Sequence, residues 1–263
     1  MAQNPSSSKR PTPGAARGRS PLTPFYLILA VVALAGVGVL LYPLLGMPAP
    51  ASAPVAVTLD PAELARVQGI SMGRADAPVV IYEFADFQCP GCAHFATNVS
   101  RPIRAQYVDS GQVRFEYYDM PLYQIHPHAF LAARAARCAG DQNLFWEMHD
   151  MLYARQQEWA IDRTPPIARY AGYAESIGAD RGDFEACLQS DAHAETVTAN
   201  GMLGQQLGVG STPTVYINGR NVGEAWSDFE AMSELIEEAL ANAPARTPGV
   251  ATDTAMSDTA SAR

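Results

Sequence analysis

The sequence is poor in cysteine and has no acidic residue in its first 59 positions. Four cysteines among 263 residues exclude a small disulfide-rich scaffold. After Arg19 there is no run of lysine or arginine, and the chain carries 27 acidic against 18 basic residues. Because nucleic-acid affinity comes largely from neutralised phosphates, this balance excludes nucleic acid as an expected partner. The remaining composition, 48% hydrophobic and 17% charged, is that of a globular protein.

The N-terminal region instead contains a long apolar run. Residues 25–45 carry no charge, and as a helix they would be about 31 Å long, against a hydrocarbon core of about 30 Å. All four basic residues up to Arg19 precede this run, so the positive-inside rule predicts a cytoplasmic N-terminus. We therefore expect a single-pass signal anchor in the cell membrane and an extracytoplasmic domain, periplasmic or in the cell envelope. A cleaved signal peptide and a secreted form are the alternative, since small residues at 49–53 resemble a cleavage site.

Composition also predicts the remaining domain boundaries. Residues 1–24 are expected to be a disordered basic cytoplasmic arm, 46–58 a Pro/Ala linker and 242–263 a disordered tail, because none of them can bury enough apolar surface to order itself. Residues 59–241 remain as one folded domain.

Hydrophobic periodicity predicts an α/β fold for this domain. A buried strand is followed at once by a helix with one apolar face, and then by an alternating strand. A long helical insert separates these elements from a hairpin and a closing helix. The predicted spans, in this order, are 77–85, 92–107, 113–118, about 122–207, 214–219 and 227–241.

The segment Cys89-Pro90-Gly91-Cys92 lies where the first strand meets the first helix. Two cysteines three residues apart at a helix start face the same way, so they can close and reopen a disulfide. Cys89, at the helix N-terminus, would meet unpaired N–H groups that favour its thiolate, which makes it the expected nucleophile. Cys92, one turn further, is the expected resolving partner. An inert disulfide or a fortuitous pair is the alternative.

The order of elements around this segment resembles the thioredoxin fold, and specifically the DsbA-like thiol:disulfide oxidoreductases. Three segments carry the resemblance, 83–92, 138–150 and 208–219. It implies a central mixed sheet flanked by helices, with an inserted helical subdomain, and no cofactor or bound metal. Many members have a histidine before the second cysteine, where this chain has Gly91.

The resemblance also assigns roles around the cysteine pair. Pro213, which opens a strand, would be cis and lie across from the cysteines, although most X–Pro bonds are trans. Thr212, Pro90 and Gly91 would help to hold an extended substrate peptide. A shallow apolar groove for unfolded substrates is expected from some of Phe87, Pro121 and Trp226.

Glu83 is an acid in the middle of the otherwise apolar first strand. A buried carboxyl is costly without a partner or a role. The resembling enzymes use an acid at this place as a proton relay for the buried cysteine. A solvent-facing position is the alternative, because Tyr82 and Phe84 occupy the other face of the strand.

Cys138 and Cys187 remain after the motif is set aside. Family members with cysteines at these two places, together with an oxidising compartment, favour a structural disulfide between them. The alternative is two buried, reduced thiols.

These observations predict an enzyme that forms disulfides in exported, cysteine-containing proteins. The resemblance implies a membrane re-oxidase as its partner, either DsbB-like or similar to vitamin K epoxide reductase. A reductase or isomerase of the same fold is one alternative, and a metal carrier using Cys89, Cys92 and His94 is another. His126 and His128 are interpreted as loop residues without a role in the site.

Overall fold

The computed structural model describes residues 66–244. The predicted membrane anchor at 25–45, the basic arm, the linker and nearly all of the tail fall outside these residues and stay predictions. Among the helices of the described part, none is long and apolar enough to cross a membrane.

The described chain forms one mixed five-stranded sheet. Its strands are β1 (Ile70–Met72), β2 (Val79–Ala85), β3 (Val113–Asp119), β4 (Thr214–Ile217) and β5 (Arg220–Asn221). They lie in the order β1-β3-β2-β4-β5, with β2 and β3 parallel and every other neighbouring pair antiparallel. The predicted mixed sheet is confirmed. The short strand β1 was not predicted.

The helices and helical segments fall into three groups. The first helical run consists of α1 (Pro90–His94), a π-helical segment (Phe95–Ser100), α2 (Arg101–Ile103) and a second π-helical segment (Arg104–Val108). The insert contains α3 (Ala129–Gly140), α4 (Phe145–Ala154), α5 (Gln156–Trp159), α6 (Ile167–Ser176), α7 (Arg181–Gln189) and α8 (Ala194–Gln206). A 3-10 segment (Gly223–Ser227) and α9 (Phe229–Ala241) close the domain.

The first helical run connects two parallel strands, as a crossover must. It begins directly after β2, and Pro90 is suited to the first turn because the missing N–H has no intrahelical partner there. Its apolar side chains share a core with one face of the sheet and with α9; these residues include Ile81, Phe95, Val99, Phe115, Met232 and Ile236.

The insert has a core of its own that reaches the cysteine motif. Trp159, Tyr170 and Phe184 are fully buried in it, in one cluster with Cys89 and Cys92. The insert is therefore packed against the end of β2 at which the motif lies.

Polar and covalent links also hold the insert. In α3, the buried Arg137 forms an ion pair with the buried Asp119 at the end of β3, at 2.6 Å. Cys138 and Cys187 form a disulfide, with Cα atoms 5.8 Å apart, that joins α3 to α7. The structure thus pairs the two cysteines for which the resemblance implied a disulfide.

Candidate active site

Cys89 and Cys92 lie at the start of the first helical run. Cys89 is the N-cap residue of α1 with an extended backbone, and its amide donates to the Asp86 carbonyl at 3.0 Å. Its own carbonyl accepts from Ala93 at 3.1 Å, which begins the helical hydrogen bonding. Both thiols are unbonded, so the structure represents the dithiol form.

The two sulfurs differ in accessibility. Cys89 is 9% exposed, whereas Cys92 is completely buried beneath the first helical turn. Only Cys89 can be reached by an incoming thiol or disulfide. This asymmetry separates the attacking sulfur from the resolving one.

The surroundings of Cys89 favour its thiolate. The pKa of Cys89 is lowered from 9.0 to about 5, mainly by a hydrogen bond from the Cys92 thiol. Partial burial opposes this shift, whereas hydrogen bonds from Thr212 and from the amides of Cys92 and Gly91 add to it. At neutral pH Cys89 is therefore a thiolate, which is both the nucleophilic form and a good leaving group.

The surroundings of Cys92 have the opposite effect. Burial, the hydrogen bond to Cys89 and the negative charges of Cys89 and Glu83 raise the pKa of Cys92 well above its usual value. The Asp86 amide, 3.5 Å from Cys92 Sγ, partly opposes this rise. Cys92 is consequently a thiol whenever the pair is reduced.

The Thr212-Pro213 segment lies beside Cys89. The peptide bond between these two residues is cis. Cys89 Sγ lies 3.2 Å from the Thr212 carbonyl oxygen, to which the thiol donates when it is protonated. The buried Thr212 hydroxyl makes no other hydrogen bond within the described residues, and as a donor to Cys89 it helps to lower the pKa of that thiol. The segment thus presents backbone and hydroxyl groups directly at the accessible sulfur.

Glu83 lies on β2 beneath the cysteine pair, in register with Tyr117 on β3 and Val215 on β4. It is fully buried, which excludes the solvent-facing alternative. Neither carboxyl oxygen has a hydrogen-bond partner among the residues the structure describes. Burial raises the pKa of Glu83 to about 8; the Cys89 charge adds to this rise and Arg104 opposes it. The carboxyl is therefore protonated at neutral pH and close to releasing its proton.

Two buried polar residues position the motif: Asp86, which precedes it in the chain, and Gln156, which lies in the insert. The Asp86 carboxylate accepts from the Gln88 amide at 2.7 Å and the Leu122 amide at 2.8 Å, and pairs with His126 Nδ1 at 2.7 Å. His126 was interpreted as a loop residue without a role, and the structure places it on the loop that Asp86 anchors. Sequence reasoning missed Asp86, although its place directly after an apolar strand and just before the motif is a signal that could have found it.

Gln156, on α5 of the insert, is buried and reaches the motif across 67 residues of sequence. Its side-chain amide donates to the Phe87 carbonyl at 2.8 Å and to the Cys89 carbonyl at 2.9 Å. Sequence reasoning missed this residue, because nothing in a glutamine inside a helical stretch indicates a distant backbone partner.

The site residues predicted from the sequence fall into two groups in the structure. Glu83, Cys89, Cys92, Thr212 and Pro213 come together, with Gly91 beside them and Pro90 exposed on the first turn. The Cys138–Cys187 disulfide lies within the insert. His94 is exposed and its two ring nitrogens contact Ser227 and Asn98.

Comparison with known proteins places this site in a family. A family model described as Thioredoxin matches residues 65–238. The disulfide bond formation protein D of Bacillus subtilis is 26% identical over 174 residues, which cover 64% of this chain and 76% of that protein. The crystal structure of oxidised BdbD from Bacillus subtilis superposes with a TM-score of 0.59 at 25% identity, covering 65% of this chain and 92% of BdbD.

The chain belongs to the thioredoxin family and is DsbA-like. It is also 34% identical, over 177 residues, to the Na(+)/H(+) antiporter NhaA 3 of Salinispora tropica. That match covers 67% of this chain but 26% of the antiporter, so the chain spans about a quarter of the length of this relative.

Gly91 is the position at which this DsbA-like chain departs from the histidine of many members. A Cβ atom on Gly91 would lie 3.2 Å from Pro213 Cδ and 3.4 Å from the Trp226 ring. A side chain there requires Pro213 to move by a few tenths of an ångström, whereas its approach to Trp226 is close to an ordinary van der Waals contact. Trp226, a predicted groove residue, therefore lies over the motif, whereas Phe87 is buried in the core.

Proposed function

We propose that this protein forms disulfides in exported proteins by exchanging its own Cys89–Cys92 disulfide with pairs of substrate thiols. The observation that carries this proposal is the difference between the two thiols. Cys89 is accessible and has a low pKa, whereas Cys92 is buried, has a raised pKa and lies near the protonated Glu83. DsbA-like membership and the name of the Bacillus subtilis relative support the same chemistry.

In the first step a substrate thiolate attacks Cys89 Sγ of the oxidised enzyme. A bond forms between the substrate sulfur and Cys89 while the Cys89–Cys92 bond breaks, and its electron pair remains on Cys92. We propose that the buried Glu83 carboxyl, which is protonated at neutral pH, supplies the proton that Cys92 then takes up. Thr212 and cis-Pro213 are proposed to hold the substrate backbone beside the mixed disulfide.

In the second step another substrate thiolate attacks the substrate sulfur of the mixed disulfide. Cys89 leaves as a thiolate, which its low pKa favours. The substrate gains one disulfide and loses two electrons, which the Cys89–Cys92 pair now holds. Turnover requires an oxidant for this pair, and we propose a quinone-linked membrane re-oxidase, DsbB-like or similar to vitamin K epoxide reductase.

We further propose that the domain acts outside the cytoplasm, anchored by residues 25–45. The uncharged length of that segment and the preceding basic residues support this orientation. A disulfide outside the motif is also typical of oxidising compartments.

The test is a single-turnover assay with the oxidised full-length protein and reduced, unfolded ribonuclease A. We expect one substrate disulfide for each enzyme molecule, and none with Cys89→Ser or Cys92→Ser, because neither variant can carry the motif disulfide. Cys138→Ser/Cys187→Ser is the matched control, because it removes two cysteines outside the motif. Full substrate oxidation by Cys89→Ser would overturn the proposal.

A further inference from the structure

We propose that Cys138, Cys187 and His193, with Asp141 as a fourth ligand, form a zinc site when the disulfide between the two cysteines is reduced. These residues lie in the insert, and the proposal does not depend on the reaction at Cys89.

The ligand atoms already converge from three elements. Cys138 is near the end of α3, Cys187 is in α7, and His193 directly precedes α8. The two Sγ atoms and a ring nitrogen of His193 all lie within 4.8 Å of one another. Within residues 66–244 this is the only group of three or more such side chains that meets this condition.

Asp141 lies next to this group and is the candidate fourth ligand. Its Oδ2 lies 2.8 Å from His193 Nε2 and 3.4 Å from Cys187 Sγ. In tetrahedral zinc sites the bond lengths of about 2.0 to 2.3 Å place ligand atoms about 3.3 to 3.8 Å apart. To reach a four-coordinate arrangement after reduction, the two sulfurs must move apart and the Asp141 carboxylate must move towards Cys138.

The chemistry of the donors suits zinc better than magnesium or calcium. Two thiolates and an imidazole are the ligands zinc prefers, and a carboxylate is an accepted fourth donor. Cys138 is buried, which shields the site, whereas the Asp141 side chain is 53% exposed and the His193 side chain 23% exposed, which leaves an entry path.

The metal and the disulfide exclude each other, because zinc binds thiolates and a disulfide offers none. Reduction adds two electrons and two protons to the pair, and zinc binding then releases the two thiol protons. In either state a link joins α3 to α7. The site thus offers a reduced chain a metal cross-link in place of the covalent one.

The experiment uses full-length protein carrying Cys89→Ser/Cys92→Ser, which removes the other thiol pair as a competing zinc ligand. A phosphine reductant opens the Cys138–Cys187 disulfide and is itself converted to the phosphine oxide with oxygen from water. Zinc is then added, the excess is removed by gel filtration, and bound zinc is counted. Cobalt replaces zinc in a parallel sample, because its spectrum reports thiolate ligands and tetrahedral geometry.

We expect one zinc for each reduced chain, none for the oxidised chain, and a tetrahedral thiolate spectrum with cobalt. His193→Ala should lower the affinity at least tenfold and Asp141→Asn severalfold, while His94→Ala, a histidine outside the cluster, should leave it unchanged. A reduced chain that loses its near-ultraviolet circular dichroism and regains it with zinc would also support the site.

Three results would overturn the proposal. The first is a reduced chain that binds no zinc, whether it is folded or unfolded. The second is equal zinc binding by the oxidised and the reduced chain. The third is an affinity unchanged by His193→Ala, which would show that the thiols bind zinc without the site described here.

Discussion

Replacing Glu83 with glutamine should change the pH dependence of stability in a defined direction. Burial raises the Glu83 pKa from 4.5 to about 8, whereas in the unfolded chain the carboxyl has its ordinary value. Between these two values the unfolded state releases a proton that the folded state keeps. The contribution of Glu83 to stability is therefore complete below about pH 4.5 and is lost as the pH rises towards about 8.

The size of the effect follows from the same two values. At about 1.4 kcal/mol for each pH unit, the interval from 4.5 to about 8 corresponds to a cost of up to about 5 kcal/mol at alkaline pH. Glutamine has a similar shape but cannot ionise. We expect the free energy of unfolding of Glu83→Gln, relative to the unmodified protein, to increase steadily between pH 4.5 and pH 8.

Urea unfolding of the reduced protein at intervals across this pH range measures the difference. Glu147→Gln, at an exposed glutamate of α4, is the control and should show no such trend. The same Glu83 variant should slow the release of Cys92 from the motif disulfide about a hundredfold, because it removes the proton donor. A stability difference between Glu83→Gln and the unmodified protein that stays constant with pH would refute the reasoning.

Three further predictions concern the cysteines and the insert. The thiolate absorbance of the reduced protein should titrate with a midpoint near pH 5 and lose this transition in Cys89→Ser. Gln156→Leu should destabilise the protein by about 1 to 3 kcal/mol in urea unfolding and slow substrate oxidation, since two buried carbonyls lose the hydrogen bond from Gln156 and only the Cys89 carbonyl keeps one from Ala93. Gln106→Leu on the surface should change neither. Replacing both Cys138 and Cys187 with alanine should lower the free energy of unfolding by about 4 kcal/mol, the loop-entropy value for a separation of 49 residues. The variant should show a lower Tm and an unchanged thiolate titration.

Each of these has a contradicting result. A thiolate midpoint at or above about 8.5 would remove the basis for assigning Cys89 as the nucleophile. Equal stability and activity of Gln156→Leu and Gln106→Leu would mean that the insert does not position the motif through this side chain. An unchanged Tm in the double alanine variant would show that the second disulfide does not stabilise the insert.

Local patterns in the sequence were sufficient for the elements that carry the motif. The apolar, β-branched segment before Cys89 predicted β2, although the strand begins at Val79 rather than at residue 77. The spacing of apolar residues after Cys92 predicted the helix that follows. Neither pattern indicated the π-helical segments, which keep the same face buried. In both elements the main stabilising contribution is the burial of one long apolar face, so the spacing of apolar residues along the sequence was enough to predict them.

Contacts between distant segments could not be predicted in the same way. The two hydrogen bonds of Gln156 and the hydrogen-bonded contact between Asp86 and His126 depend on how the insert folds back over β2. The strand β1, which lies beside β3 at the edge of the described sheet, has three residues, too few for an alternating pattern to be visible. The expectation of a cis bond before Pro213 came from resemblance, because the base rate favours trans.

The most direct test of the central claim is the reduction potential of the Cys89–Cys92 pair, measured by equilibrium with glutathione. A Cys89 pKa of about 5 stabilises the reduced form as a thiolate, and this makes the Cys89–Cys92 disulfide oxidising. Because position 91 is a glycine rather than a histidine, fewer groups stabilise that thiolate. We expect a potential between about −270 mV, as in thioredoxin, and about −120 mV, as in DsbA. A value more negative than about −270 mV would contradict the account, because the pair would then reduce substrate disulfides rather than form them.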